Sequence, residues 1–167
     1  MFISLQKLNY TFLQKPIVVG GKAMEYYNLR KAGSDIDLIA TKEDVRNLIQ
    51  LYPERVKNLW GDLGVCPFEF EIWKTIQYFD YEFYKQGSVD EGEYVVMSLE
   101  KLLFLKVLAM DIEKNLNDVQ LIRQKIKHDN EEQCTLMKKA NDQLLDGIQG
   151  ITYIQQKGPQ IIPEENS

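Results

Sequence analysis

The stretch PIVVGGKAMEYYNLRKAGSDIDLIA, residues 16–40, constrains this chain more than any other. Two short apolar runs flank a segment of helical length, and no all-α or all-β arrangement accommodates that order. Pro16 opens the first run, Ile17–Val19 reads as a buried strand, and Gly20–Gly21 closes it. The segment from Lys22 to Ala32 is expected to be a helix, stopped when Gly33 takes a left-handed C-terminal position. In SDIDLIA, Ile36, Leu38 and Ala40 alternate with Asp35, Asp37 and Ile39, so a strand there carries both aspartates on one face.

The rest of the chain extends this α/β beginning. Leu5, Leu8 and Phe12 stand at helical spacing before the first strand. Thr41 is a helix N-cap, with Glu43 and Asp44 in the first turn of VRNLIQLY. FEFEIW alternates strictly and predicts a strand with Phe68, Phe70 and Ile72 on one face and Glu69 and Glu71 on the other; YFDYEFY reads as a further strand. Ser98 caps a long helix whose apolar stripe is Leu102, Leu105, Ala109, Ile112, Leu116, Val119 and Ile126. A second helix, from about Asn130 to Ile148 with Cys134, Met137, Ala140, Leu144 and Ile148 on one side, ends at Gly150 and pairs with the first as a hairpin. The expectation is an α/β (α+β) core over residues 1–97, a helical part of the same domain over 98–150, and a flexible tail over 151–167.

Composition narrows the function classes. At 167 residues and 44% hydrophobic, the chain can bury one substantial core, and a net charge of -5 argues against a protein that coats nucleic acid by general attraction. Cys66 and Cys134 have no thiol or histidine at ligand spacing, so neither a disulfide framework nor a zinc site is expected, and a cytoplasmic setting fits. No apolar run reaches the roughly 18 residues that would span a bilayer. His128 is the only histidine, which argues against a serine or cysteine triad.

The chemistry gathers around the aspartates. Carboxylates at i and i+2 of one strand can share a divalent cation through hard oxygen ligands, although an acidic pair also protects an exposed strand edge. A glycine pair between strand and helix lets backbone N–H groups approach a phosphate, and Lys22 adds positive charge. A third carboxylate is wanted from a neighbouring strand; Glu69 and Glu71 are the candidates, with Glu71 preferred for its apolar neighbours Ile72 and Trp73. Lys106 either snorkels at the core edge or reaches a phosphate, and Trp73 either packs in the core or stacks on a base. Lys114 and Asp118, one turn apart, read as a surface pair, and Arg30 as a helix-end cation.

The segment VVGGKAMEYYNLRKAGSDIDLIA resembles the nucleotidyltransferase superfamily signature of strand, Gly-Gly or Gly-Ser, helix and Asp-x-Asp. The later VVMSLEKLLFLKVLAMDIEKNLNDVQLI is similar to the helical segment of small bacterial members, including abortive-infection type toxins. The resemblance spans about residues 13–123 and implies the nucleotidyltransferase fold, a mixed sheet flanked by helices with a C-terminal helical hairpin. It implies that Gly20, Gly21, Lys22, Ser34 and Lys106 hold an NTP, while Asp35, Asp37 and Glu71 bind magnesium or manganese and catalyse transfer to an RNA end, a protein or a small molecule. An antitoxin-like protein partner is implied in the same way. The third acid of the family is often aspartate followed by an apolar residue, where this chain offers two glutamates. The competing expectation is a catalytically silent module that binds nucleotide or a protein partner.

Overall fold

The computed structural model describes residues 3–148. It opens with a short 3-10 turn, Leu5–Leu8, which buries Leu5 and Leu8 and stops at Asn9, whose backbone is left-handed (φ 43°). The helical spacing that includes Phe12 is therefore realised for one turn only. Then follow β1 (Ile17–Val18), α1 (Gly20–Tyr26), β2 (Ile36–Ile39), α2 (Lys42–Leu51), β3 (Val56–Leu59), β4 (Asp62–Val65) and β5 (Phe70–Trp73). The small strands β6 (Thr75–Ile76) and β7 (Phe79–Asp80) precede α3 (Tyr81–Lys85), β8 (Val89–Asp90) and β9 (Val95–Val96). The helices α4 (Leu99–Leu108), α5 (Glu113–Asp129) and α6 (Glu131–Asp146) complete the described chain.

Seven strands form one sheet in the order β3-β4-β5-β2-β1-β9-β8. The β2–β5 and β1–β9 pairs are parallel and the others antiparallel, so the protein is mixed α/β with a mixed sheet, and the described residues form six α-helices. The expected α/β class is met at this level. β2 lies inside the sheet between β1 and β5, which is why its run is apolar on both sides of Asp37, with Leu38 and Ile39 fully buried. Thr41 caps α2 by accepting a hydrogen bond from the Asp44 N–H, and the buried Asp44 carboxylate accepts from Tyr10 Oη and the Leu13 N–H, tying the N-terminal segment to the first turn of α2.

Several expected elements differ. Helix α1 ends at Tyr26, not at Gly33: Asn28 takes the left-handed position (φ 58°) and Leu29 N–H closes back on the Met24 carbonyl, a Schellman turn in which asparagine stands for glycine. Phe68 is not part of β5; its φ of 55° puts it in a turn, 65% exposed. YFDYEFY is no single strand, because Gln77 and Tyr78 both have positive φ and make a two-residue hairpin between β6 and β7, after which Asp80 caps α3. The helix capped by Ser98 breaks after Leu108. There the Asn115 amide donates to the Ala109 carbonyl, and Ile112 and Leu116 are exposed, so the apolar stripe is not one face.

The chain divides into two compact units between His128 and Asp129. The first holds the sheet with α1 to α5. The second contains α6, which has no buried residue and is capped at Gly147; Gly150 and the expected tail lie outside the described residues. No helix among the described residues is long and apolar enough to cross a membrane.

Candidate functional site

The parallel register of β2 and β5 sets Asp37 directly beside Glu71, so two carboxylates from different strands share one face. They line a cleft of about 220 Å3 together with Gly20, Asp62, Trp73 and Lys106. A larger cavity of about 530 Å3 beside the N-terminal segment contains none of the expected site residues. Burial, and then the like charge of Glu71, raise the Asp37 pKa to about 6 against the opposing pull of Lys106 and Lys114.

The glycine turn and this aspartate form one structure. Gly20 has φ +58°, and a Cβ placed on it would lie 2.3 Å from Asp37 Oδ2. Glycine is thus required twice, for the backbone conformation and for the approach to the carboxylate. The Val19 N–H donates to the Asp37 carbonyl at 3.0 Å and fixes the two strands at that point.

Other expected residues fall at different distances from this centre. Asp35 precedes β2, is exposed, and accepts a hydrogen bond from Ser34 Oγ; its charge adds to the rise at Asp37, but neither Asp35 nor Ser34 lines the cleft. Lys22 stands 3.9 Å from Glu25 on α1, and Gly21 packs toward Ala32 and Arg30. Glu69 is held by Lys7 at 2.6 Å, away from the cleft, whereas Glu71 accepts from Lys57 at 3.0 Å. Lys57 also lies over the Trp73 ring, 5.5 Å from its centre; Trp73 is nearly buried and covers Gly64.

Lys106 reaches the cleft but is firmly held. Its ammonium donates to Asn115 Oδ1 and lies 2.9 Å from Asp118 Oδ2, while Arg30 forks the same carboxylate through Nε at 2.6 Å and a terminal nitrogen at 2.8 Å. Two expectations are corrected here: Asp118 is 1% exposed and pairs with Arg30 and Lys106, not with Lys114 at the surface, and Arg30 is the partner of a buried acid, not a helix-end cation. Burial pushes the Asp118 carboxyl up, and the hydrogen bonds from Arg30 and Lys106 outweigh it, leaving the pKa below the ordinary aspartate value. The sequence signal for this network is the position of Asp118 four residues before the buried Ile122, an acid on a core-facing helix face.

Among the described residues, no three histidine, cysteine, aspartate or glutamate side chains gather to hold a metal ion. The donor set is instead the Asp37–Glu71 pair, which suits magnesium bound by one or two carboxylates plus substrate phosphates. The Asp37 pKa is raised first by burial and then by the charge of Glu71, and a hard cation beside both carboxylates would oppose that rise. Comparisons with protein-family models, curated proteins and solved structures give no match for this chain.

Proposed function

We propose that this chain is a nucleotidyltransferase with the nucleotidyltransferase fold, moving a nucleoside monophosphate from an NTP to an acceptor hydroxyl. The observation that carries the reading is Asp37 beside Glu71 on adjacent strands, with the Gly20 backbone packed against Asp37. The acceptor oxygen bonds to the α-phosphorus as its proton passes to the Glu71 carboxylate and on to solvent, the bond to the bridging oxygen breaks, and pyrophosphate leaves.

In this scheme the backbone N–H groups at Gly20 and Gly21 bind the triphosphate, and Lys106 meets it from the other wall of the cleft, its position set by Asp118 and Asn115. Asp37 and Glu71 hold magnesium or manganese, which when bound supplies neutralisation of the phosphate charge. Glu71, on the side of Asp37 away from Gly20, accepts a hydrogen bond from the acceptor hydroxyl and orients it.

The test is a thermal melt of wild type and Asp37→Asn with each NTP, with and without magnesium. A ligand at about 100 times its dissociation constant adds about 2.7 kcal/mol of stability. A magnesium-dependent shift that Asp37→Asn lacks supports the enzyme. Binding indifferent to magnesium would instead support a silent nucleotide-binding module, and no shift in either protein would leave the nucleotide reading without support.

A further inference from the structure

Two hairpin tips adjoin residues that line the cleft, Leu59 and Asp62 on one hairpin and Ile76 on the other. The β3–β4 hairpin turns at Trp60 and Gly61, the β6–β7 hairpin at Gln77 and Tyr78, and all four residues have positive φ. Two-residue turns of this kind favour Asn-Gly, so tryptophan and tyrosine occupy positions for which their backbones are poorly suited. Both are also largely uncovered, Trp60 at 78% and Tyr78 at 74% exposed. Backbone strain combined with a large exposed ring gives nothing to the core, and strain of this sort concentrates at binding sites.

The two tips are nevertheless tied to each other. Tyr78 Oη donates to the Trp60 carbonyl at 2.7 Å, the Tyr78 ring lies against Gly61, and Asn58 Oδ1 accepts from the Gly61 N–H. Asp62 locks the second turn to the first hairpin: its carboxylate accepts from Thr75 Oγ1 and from the N–H groups of Gln77 and Tyr78. Leu59, Asp62 and Ile76, at the feet of these turns, line the cleft that contains Asp37 and Glu71.

Strand order supplies the direction. From β1 through β2 and β5 to β4 and β3, the sheet presents the Gly20 turn, Asp37, Glu71 and then the aromatic tips. On the proposed reading the triphosphate lies toward Gly20, so the tips stand on the acceptor side of the carboxylates. Arg55 immediately precedes the β3–β4 hairpin and brings a positive charge to that side despite the net charge of -5, while Lys57 on β3 is already paired with Glu71.

We propose that Trp60 and Tyr78 form a stacking platform for the terminal base of a single-stranded nucleic-acid acceptor, whose 3′-hydroxyl is thereby led toward Glu71. Aromatic stacking fits such an end because every base has a π-face. This inference rests on the nucleotidyltransferase reading and selects a nucleic-acid end over a protein or small-molecule acceptor.

The probe is a fluorescently labelled short single-stranded oligoadenylate, followed by anisotropy, with tryptophan quenching as a second readout. Trp60→Leu keeps a non-glycine residue in the turn and should leave the melting temperature and the magnesium-dependent NTP shift unchanged, while weakening oligonucleotide binding by about tenfold or more. Quenching by the oligonucleotide should be present in wild type and fall in Trp60→Leu to the part contributed by Trp73 in the cleft. Unchanged affinity in Trp60→Leu, with the NTP shift intact, would overturn the platform alone. Equal quenching of Trp60 by free NTP would overturn it in favour of the donor's own base. Absence of any NTP shift in wild type would remove the enzyme reading and this inference with it.

Discussion

Lys106 Nζ stands 2.9 Å from Asp118 Oδ2, and Arg30 forks the same buried carboxylate, so one acid holds two cations beside the cleft. Removing that acid strands both. Asp118→Ala should destabilise the protein by about 3–5 kcal/mol, the range for breaking a buried ion pair on one side. Denaturant unfolding of the purified variant checks this, and a loss under about 1 kcal/mol would show the network to be dispensable.

The same carboxylate gives an acid-limb signature. Its folded pKa is below the ordinary value, so the stability it contributes is present above the unfolded pKa of about 4 and is lost as pH falls through the lower folded one. Asp118→Asn should flatten that limb of a stability–pH curve. A limb as steep as in wild type would assign the effect to other carboxylates.

Gly20 and Asp37 should be energetically coupled. Alanine at φ +58° costs about 1–2 kcal/mol for the backbone alone, and the contact with Asp37 Oδ2 adds to it. In an Asp37→Ala background that second part disappears, because the obstructing carboxylate is gone. Urea unfolding of wild type, Gly20→Ala, Asp37→Ala and the double variant should therefore give a coupling above about 0.5 kcal/mol. Additive losses would mean that Asp37 simply swings aside.

The local half of this site was legible in the sequence. Alternation in SDIDLIA and FEFEIW placed Asp37 and Glu71 on strands, and the preference for Glu71 matches its register opposite Asp37. Glu69 and Glu71 are equivalent by alternation alone; what separates them is the partner across the sheet for one and Lys7, from the N-terminal turn, for the other. Long-range pairing has no period to read. The same limit hid Asp118, whose partners are 88 residues upstream and on the preceding helix. Phe68 failed for a different reason: a left-handed backbone breaks the side-chain pattern at a residue whose chemistry does not announce it, whereas Asn28, a residue that takes that backbone readily, was a stop signal outweighed by Gly33.

Asp37 should make the site pH-sensitive in a window set first by its burial and then by the charge of Glu71. Its folded pKa of about 6 exceeds its ordinary value of 3.8, so between those values the native state holds a proton that the unfolded chain has released. Whatever stability this group contributes is thus fully present below the lower value and declines as pH rises through about 6. Divalent binding runs the other way, since the cation must displace that proton, and magnesium affinity should climb up to about pH 6 and level off above it. Glu71→Gln removes the neighbouring charge and should move both transitions to lower pH, while Asp37→Asn should abolish them. Melting curves across a pH series with and without magnesium read both slopes in one experiment. If the magnesium-dependent increment were constant from pH 5 to 8 in wild type, Asp37 would not be the group that proton and metal contest.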